Sequence, residues 1–298
     1  MYTENMIGET GRLPTYQRAQ DPPGWRFTTR DKYILEAIHA FDGMLGDYQI
    51  KRMFFTGLRK TQGRLSLLFH HGYVARPDRR RRASLPCMVY WLDKRGAGYV
   101  AGLSGQRIPG FRYRKTPYWL RIEHDMRVND FRLDVIRACM FSPALGLEQW
   151  IGQEEFWAYP DTVEYRQSNG RKAKRRIRPD GFFSIYTNGQ RHRLLVEIDM
   201  ATEDNPRFAR EKVSPGIAYL RSKVYRKRFG GSGSGRCLVV TTGRRRMLNM
   251  KRQAETTAGH DAQVFCFTTF DQVTPDTVLT APIWYRGGDS HPSSLFQL

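Results

Sequence analysis

The segment from Arg175 to Asp199 constrains the fold more than any other stretch of the chain. Two apolar runs, Phe182-Phe183-Ser184-Ile185-Tyr186 and Leu194-Leu195-Val196, flank Asn188-Gly189. Asn-Gly is a strong hairpin signal, because both central positions of the tight turn need positive φ. The spacing predicts a strand from Arg175 to Tyr186 and a second from His192 to Asp199. Acidic residues mark the open end of this hairpin: Asp180 in Arg178-Pro179-Asp180-Gly181, and Glu197-Ile198-Asp199 after the second apolar run. Strand alternation puts Glu197 and Asp199 on one side, and folding back brings Asp180 within reach of them.

The surrounding pattern extends this hairpin into a sheet. A helix is expected from Asp125 to Met140, with Val128, Phe131, Val135 and Ile136 inward. After the hairpin, Phe208 to Phe229 reads as helix and Arg236 to Thr242 as a buried strand. Arg244 to Ala258 reads as helix and Gln263 to Thr268 as strand. That order predicts a mixed sheet with helices against it, an α+β or α/β arrangement. The glycine-rich run Gly230–Gly235 reads as a loop; it lacks the GxxxxGK[ST] pattern of a phosphate loop.

The N-terminal third has a different rhythm. Residues 1–28 are polar and punctuated by Pro14, Pro22 and Pro23, and read as a flexible arm. From Thr29, taken as the cap, a helix carries Ile34, Leu35, Ile38 and Phe41 on one face. A short helix over Ile50, Met53 and Phe54 follows. A third begins after Gly57 and ends at Gly72, with Leu58, Leu65, Leu68 and Phe69 in a stripe and Arg59, Lys60 and Gln62 opposite. A strand from Tyr73, a basic turn at Arg79, Arg80, Arg81 and Arg82, and a strand from Cys87 to Leu92 complete the pattern. Three helices and a basic hairpin resemble a winged helix-turn-helix over 29–103. A third helix of that kind lays Arg59, Lys60 and Gln62 in a major groove, while the arginine-rich wing meets phosphates. Residues 104–117 read as linker, 118–285 as the second domain and 286–298 as tail.

Charge narrows the partners. Lys and Arg number 49 against 29 Asp and Glu, a net +20. Such a surface attracts phosphates through counterion release. The basic residues do not gather on one amphipathic helix, so double-stranded DNA is the expected partner rather than a membrane. The run that includes Lys174, Arg175 and Arg176 is expected to track a DNA backbone beside the acidic residues. No stretch of eighteen apolar residues is present, and the first residues show no secretory pattern. Cys87, Cys139, Cys237 and Cys266 are far apart without CxxC, the usage of buried reduced thiols in the cytoplasm.

Clustered carboxylates at strand ends are what Mg²⁺ or Mn²⁺ requires, namely hard oxygen ligands with water completing the shell. Asp180, Glu197 and Asp199 are therefore candidate metal ligands. Glu123 and Glu155 are weaker candidates, and His124 reads as a structural histidine.

Pro179-Asp180, a hairpin and Glu197-Ile198-Asp199 resemble the PD-(D/E)xK nuclease signature. More broadly the chain resembles the replication-relaxation family of bacterial mobile elements, which joins a winged helix to a PD-(D/E)xK-like domain. The residues that carry the likeness begin with Arg64-Leu65, Gly72-Tyr73-Val74, and His124 with Val128-Asn129-Asp130. They continue with Arg178-Pro179-Asp180-Gly181, Glu197-Ile198-Asp199, Thr202-Glu203, and Lys212 before Tyr219. The resemblance implies a DNA-binding protein of a mobile element or plasmid with a metal-dependent endonuclease domain, acting with other proteins of the element. It implies catalytic roles for Asp180, Glu197, Asp199 and a lysine. The nuclease pattern places that lysine two residues after the second acid, where this chain has Asp199. Two readings follow: Lys212 supplies the ammonium from the next helix, or the domain is a non-catalytic replication or transcription factor that keeps the fold for binding.

Overall fold

The protein is described by a computed structural model covering residues 13–107, 111–167, 170–201, 205–231 and 235–296. Thr202-Glu203 and part of the Gly230–Gly235 run lie outside the described residues. The chain divides into two compact units, Met1–Asn129 and Asp130–Leu298. Both mix helix and strand, as the sequence pattern requires.

In the first unit, helix α1 (Thr29–Ala40) is followed by strand β1 (Leu45–Gly46), α2 (Asp47–Phe54) and α3 (Leu58–His70). Then come β2 (Val74–Ala75), α4 (Arg79–Ala83), β3 (Val89–Leu92) and α5 (Lys94–Leu103). The three strands form an antiparallel sheet in the order β1-β3-β2. The cap of α1 is Thr28, one residue earlier than expected. Its backbone N–H and its hydroxyl both donate to the Asp31 carboxylate, at 2.6 and 2.7 Å. Arg64 reaches that carboxylate from α3, with Nε 2.6 Å from Oδ1. Burial alone would raise the Asp31 carboxyl, but the bonds from Arg64 and Thr28 outweigh it and hold the group below the ordinary range. The four arginines between β2 and β3 form a helix rather than a turn. Asp78 explains this, because its Oδ1 accepts the Arg81 N–H at 2.8 Å and caps the segment. Gly96 in α5 has no alternative, since a Cβ there would lie 2.0 Å from the Tyr73 carbonyl.

Residues 13–28, expected as a flexible arm, are instead held on the first unit. Trp25 stacks on His71 at 4.8 Å and lies under the Arg64 guanidinium. Arg18 Nε donates to the Phe69 carbonyl. Phe111 and Arg114, in the expected linker, also pack here, on His39 and on Asp125 respectively.

Helix α6 (Ile122–Phe141) runs from the first unit into the second. Strand β4 (Gly146–Gly152), α7 (Gln153–Ala158), β5 (Asp161–Arg166), β6 (Lys172–Ile177), β7 (Gly181–Thr187) and β8 (Gln190–Asp199) follow. Next are α8 (Asn205–Phe208), a π-helical turn (Ala209–Val213), α9 (Ser214–Leu220) and α10 (Lys223–Phe229). Strand β9 (Arg236–Thr241), α11 (Arg244–Ala258), β10 (Phe265–Thr269) and β11 (Tyr285–Arg286) close the chain.

The main sheet has the order β11-β10-β9-β8-β7-β4. Strands β4, β7 and β8 form an antiparallel meander, and β8, β9 and β10 are parallel. The Asn188-Gly189 turn has φ of 49° and 75°, as its hairpin demands. Arg175 to Tyr186 is not one strand. Its first part, β6, pairs only with β5 as a separate two-stranded ribbon, and Pro179 and Asp180 break it from β7. The ribbon leaves the sheet at Gly152 and rejoins it at Gly181, and these two glycines are register partners. The helix expected from Phe208 to Phe229 is broken into four pieces.

Alternation divides the core between the two faces. Phe182, Leu195, Cys237 and Val239 pack with Val213, Ile217, Tyr219 and Met247 on one face. Phe183 points the other way, stacking on Trp150 at 5.4 Å with Phe131 of α6 beside both. The expected tail packs as well, with Phe296 against His192 at 4.8 Å.

Candidate functional site

The site lies at the end of β8 on the helix-covered face. Glu197 is two residues beyond Leu195, so it shares the side that faces the π-helical turn and α9. A π turn is wider than an α turn and re-aims the residues it holds. Here it carries Lys212, whose Nζ lies 2.5 Å from Glu197 Oε2. The Glu197 side chain is 15 % exposed and that of Lys212 is 31 % exposed. Burial would lower the Lys212 pKa, but the charges of Glu197 and Asp180 outweigh it, and the ammonium is held firmly protonated.

Asp180 is fixed by the strand beside it. Its backbone N–H donates to the Val196 carbonyl at 2.9 Å, and its Oδ2 accepts the Ile198 N–H at 2.8 Å. The Asp180 residue is buried, and its carboxylate sits against the β8 backbone one residue beyond Glu197. The structure thus brings together Asp180, Glu197 and Lys212. It engages Asp199 elsewhere: Arg246 of α11 spans that carboxylate with both oxygens bonded, at 2.5 and 2.7 Å, and Thr241 also donates to it. Among the described residues, no group of three or more His, Cys, Asp or Glu side chains is placed to hold a metal ion.

A cleft of about 350 Å³ opens here, lined by Glu197, Lys212, Cys237 and the basic residues Lys174, Arg175, Arg176 and Arg178. Within β6, alternation splits those residues. Lys174 and Arg176 are exposed, whereas Arg175 turns inward to Glu211 at 2.7 Å. Burial would raise the Glu211 carboxyl, but Arg175 and Arg207 together hold it below the ordinary range. Lys174 pairs across the ribbon with Glu164 at 3.0 Å. Arg178, the last residue of the basic run, lies over the Trp157 ring at 4.5 Å. Burial raises the Cys237 thiol well above its ordinary pKa, so it is a neutral part of the wall. Glu123 and Glu155 are exposed, and His124 lies beside Arg121 and Asp125.

In the first unit, Arg59 and Lys60 project from the start of α3, and Arg79, Arg80 and Arg81 are exposed on α4. Gln62 is also exposed, but its amide donates to Asp47 at 2.9 Å. Arg82 donates to the Leu85 carbonyl, and Arg81 lies over Trp119. Two residues that carried the family likeness have structural work here. Arg64 clamps Asp31, and the Asn129 amide donates to the Met44 carbonyl at 2.8 Å.

These features define a two-unit α+β protein whose second unit sets two carboxylates and a lysine at the end of a mixed six-stranded sheet. The chain belongs to the replication-relaxation family, whose model matches residues 35–232, more than half of its length. No curated protein and no solved structure matches it. Among the described residues, no helix is long and apolar enough to cross a membrane.

Proposed function

We propose that this is a DNA-binding replication protein of a mobile element or plasmid, and that its second unit is a metal-dependent phosphodiester hydrolase of the PD-(D/E)xK type. The observation that carries the proposal is the meeting of Asp180, Glu197 and Lys212 beside a basic ribbon. The sheet supports it, since an antiparallel meander followed by a crossover to a parallel strand is the core that signature requires. Family membership supports the link to replication. In the first unit, the order α1-β1-α2-α3-β2-α4-β3 supports a winged helix whose wing carries a short helix, with Arg59 and Lys60 toward a major groove and Arg79, Arg80 and Arg81 toward phosphates.

The donor chemistry fits a magnesium or manganese ion, because such ions use one or two carboxylates and take the rest of their shell from water and substrate phosphate. Asp180 and Glu197 would hold the ion, which supplies Lewis acidity at the phosphate and a more acidic water. The chain's own groups do the rest. Lys212 stays charged and hydrogen-bonded to Glu197, where an ammonium orients water and offsets charge on a phosphate. Arg176 and Arg178 stand on the ribbon side to receive the flanking backbone. Asp199 serves through Arg246, tying α11 to the end of β8.

The test is calorimetry with Mn²⁺ together with nicking of supercoiled plasmid. Wild type should bind the ion and nick. Asp180→Ala should lose binding, and Glu197→Ala should lose nicking while keeping its circular dichroism. Wild-type protein that neither binds Mn²⁺ nor nicks would leave the second reading, a fold used for DNA or partner binding alone. The capture of Asp199 by Arg246 favours that reading.

A further inference from the structure

A second cleft, of about 600 Å³, lies at the opposite end of β8 from Glu197. His192 lines it, and the five residues to Glu197 span roughly 17 Å of strand. This volume matches a small-molecule site. The wall is polar and cationic. Arg236 opens β9, Arg286 ends β11, and Thr187 closes β7.

Two observations point to a missing ligand. The Arg236 guanidinium has no hydrogen-bond or ion-pair partner among the described residues, although it is half-buried in the cleft wall. The Thr187 residue is 3 % exposed, and its hydroxyl is buried with no hydrogen-bond partner. Buried hydroxyls are nearly always satisfied, because leaving one unmade costs about 1–3 kcal/mol. Arg286 is already oriented, with Nε 2.9 Å from the Gln263 carbonyl and a second nitrogen 2.8 Å from its amide oxygen. Burial, and then the charge of Arg236, lowers the His192 pKa, so the imidazole is neutral at pH 7. Among the described residues, Asp289 is the one acidic side chain of the lining, against two arginines.

We infer that this cleft binds a phosphomonoester of about mononucleotide size. The phosphate sits between Arg236 and Arg286, whose planar forks match its oxygens. The Thr187 hydroxyl donates to it from the wall. Asp289 then faces the remainder of the ligand, where a hydroxyl or amine satisfies it. A free nucleotide and the 5′-phosphate end of a DNA strand share this chemistry.

The experiment uses the full chain, with calorimetry and thermal melting. The probes are dTMP, thymidine, and a short DNA strand with either a 5′-phosphate or a 5′-hydroxyl. At least one phosphorylated probe should bind more tightly than its unphosphorylated counterpart, by a margin that Arg236→Gln removes. Binding of dTMP over thymidine assigns a free ligand, and a 5′-phosphate-dependent gain seen only with the strand assigns a strand end. Arg236→Gln should weaken that binding about tenfold or more. Thr187→Val removes the unsatisfied hydroxyl at constant shape. It should therefore weaken the ligand several-fold while leaving the ligand-free melting temperature unchanged or higher. Equal binding of phosphorylated and unphosphorylated probes, full affinity in Arg236→Gln, or no binding at all would each overturn the inference. A Thr187→Val chain that melts lower without ligand would show a structural hydroxyl and count against it. The Mn²⁺ and nicking assays on Asp180 and Glu197 read a different site, so either proposal can fail alone.

Discussion

Replacing Lys212 by methionine probes the site's charge balance. The substitution keeps the stem and removes the ammonium, leaving Glu197 and Asp180 without their shared cation. Breaking a fully buried pair costs about 3–5 kcal/mol, and breaking an exposed one costs under about 1. With side chains 31 % and 15 % exposed, this pair lies between those limits, and about 1–3 kcal/mol is expected. For a unit of this size that lowers the melting temperature by about 2–12 °C. The Lys212 pKa is raised above its ordinary 10.5, so its contribution is complete at pH 7 and is lost only as pH climbs past that value. Measurements at pH 7 therefore read the whole effect. The double variant Glu197→Gln/Lys212→Met should recover most of the loss, because it leaves no unpaired charge on either residue. Adding Mn²⁺ should raise the melting temperature of Lys212→Met more than that of wild type, since the ion no longer meets an ammonium; about tenfold tighter binding is expected. Strictly additive losses in the double variant would refute the pairing argument. Equal Mn²⁺ shifts in both proteins would refute the shared site.

Three further outcomes follow from the first unit. In duplex titrations against salt, Arg79→Ala and Arg80→Ala should each flatten the log–log slope by about 0.9, whereas Arg82→Ala, held to the Leu85 carbonyl, should mainly lower stability; an unchanged slope takes α4 off the DNA. Arg64→Met strands the buried Asp31 carboxylate and should cost about 2–4 kcal/mol in urea unfolding, and undiminished stability would remove the clamp. Burial, helped by Arg76, His71 and Arg18, lowers His70 from 6.5 to about 4, and its Nδ1 accepts the Ala19 N–H, which only the unprotonated ring allows. A folded-state pKa depressed in this way leaves stability complete above pH 6.5 and erodes it as pH falls toward 4. Urea midpoints at pH 7, 5 and 4 should fall in wild type and fall less in His70→Gln.

The hairpin was legible because its signals are local. Asn188-Gly189 needs only the φ of two residues, and the two apolar runs each alternate on their own. Lys212 was legible as a candidate because the crossover must return a helix over the face that Glu197 points to. The fate of Asp199 was not legible. Alternation placed it beside Glu197, but its partner Arg246 is 47 residues away and belongs to a helix whose rotation only the packed core sets. The β5–β6 ribbon was missed for a related reason. Lys172 to Ile177 alternates like a strand and runs into the next one in sequence, and only pairing shows that it belongs to another sheet. Residues 13–28 misled through composition. Prolines and polar residues suggested freedom, whereas Trp25 and Arg18 supply anchors whose partners on α3 lie about 40 to 50 residues on.

The pairing of Gly152 with Gly181 makes the stretch between them a cassette. Its ends are pinned together by the sheet, so the entropy of closing it depends only weakly on its length, about 0.6 kcal/mol for each doubling. It is also anchored from within: Asp180 on Ile198, Arg175 on Glu211, Asp161 beneath Tyr219 and Arg228, and Phe156 and Val163 in the core of the unit. One wall of the Glu197 cleft is thus carried by a different sheet from the one that holds Glu197. A change of length or charge at the exposed end of the ribbon, around Arg166 and Lys172, would therefore leave both those anchors and the hairpin that carries Glu197 as they are.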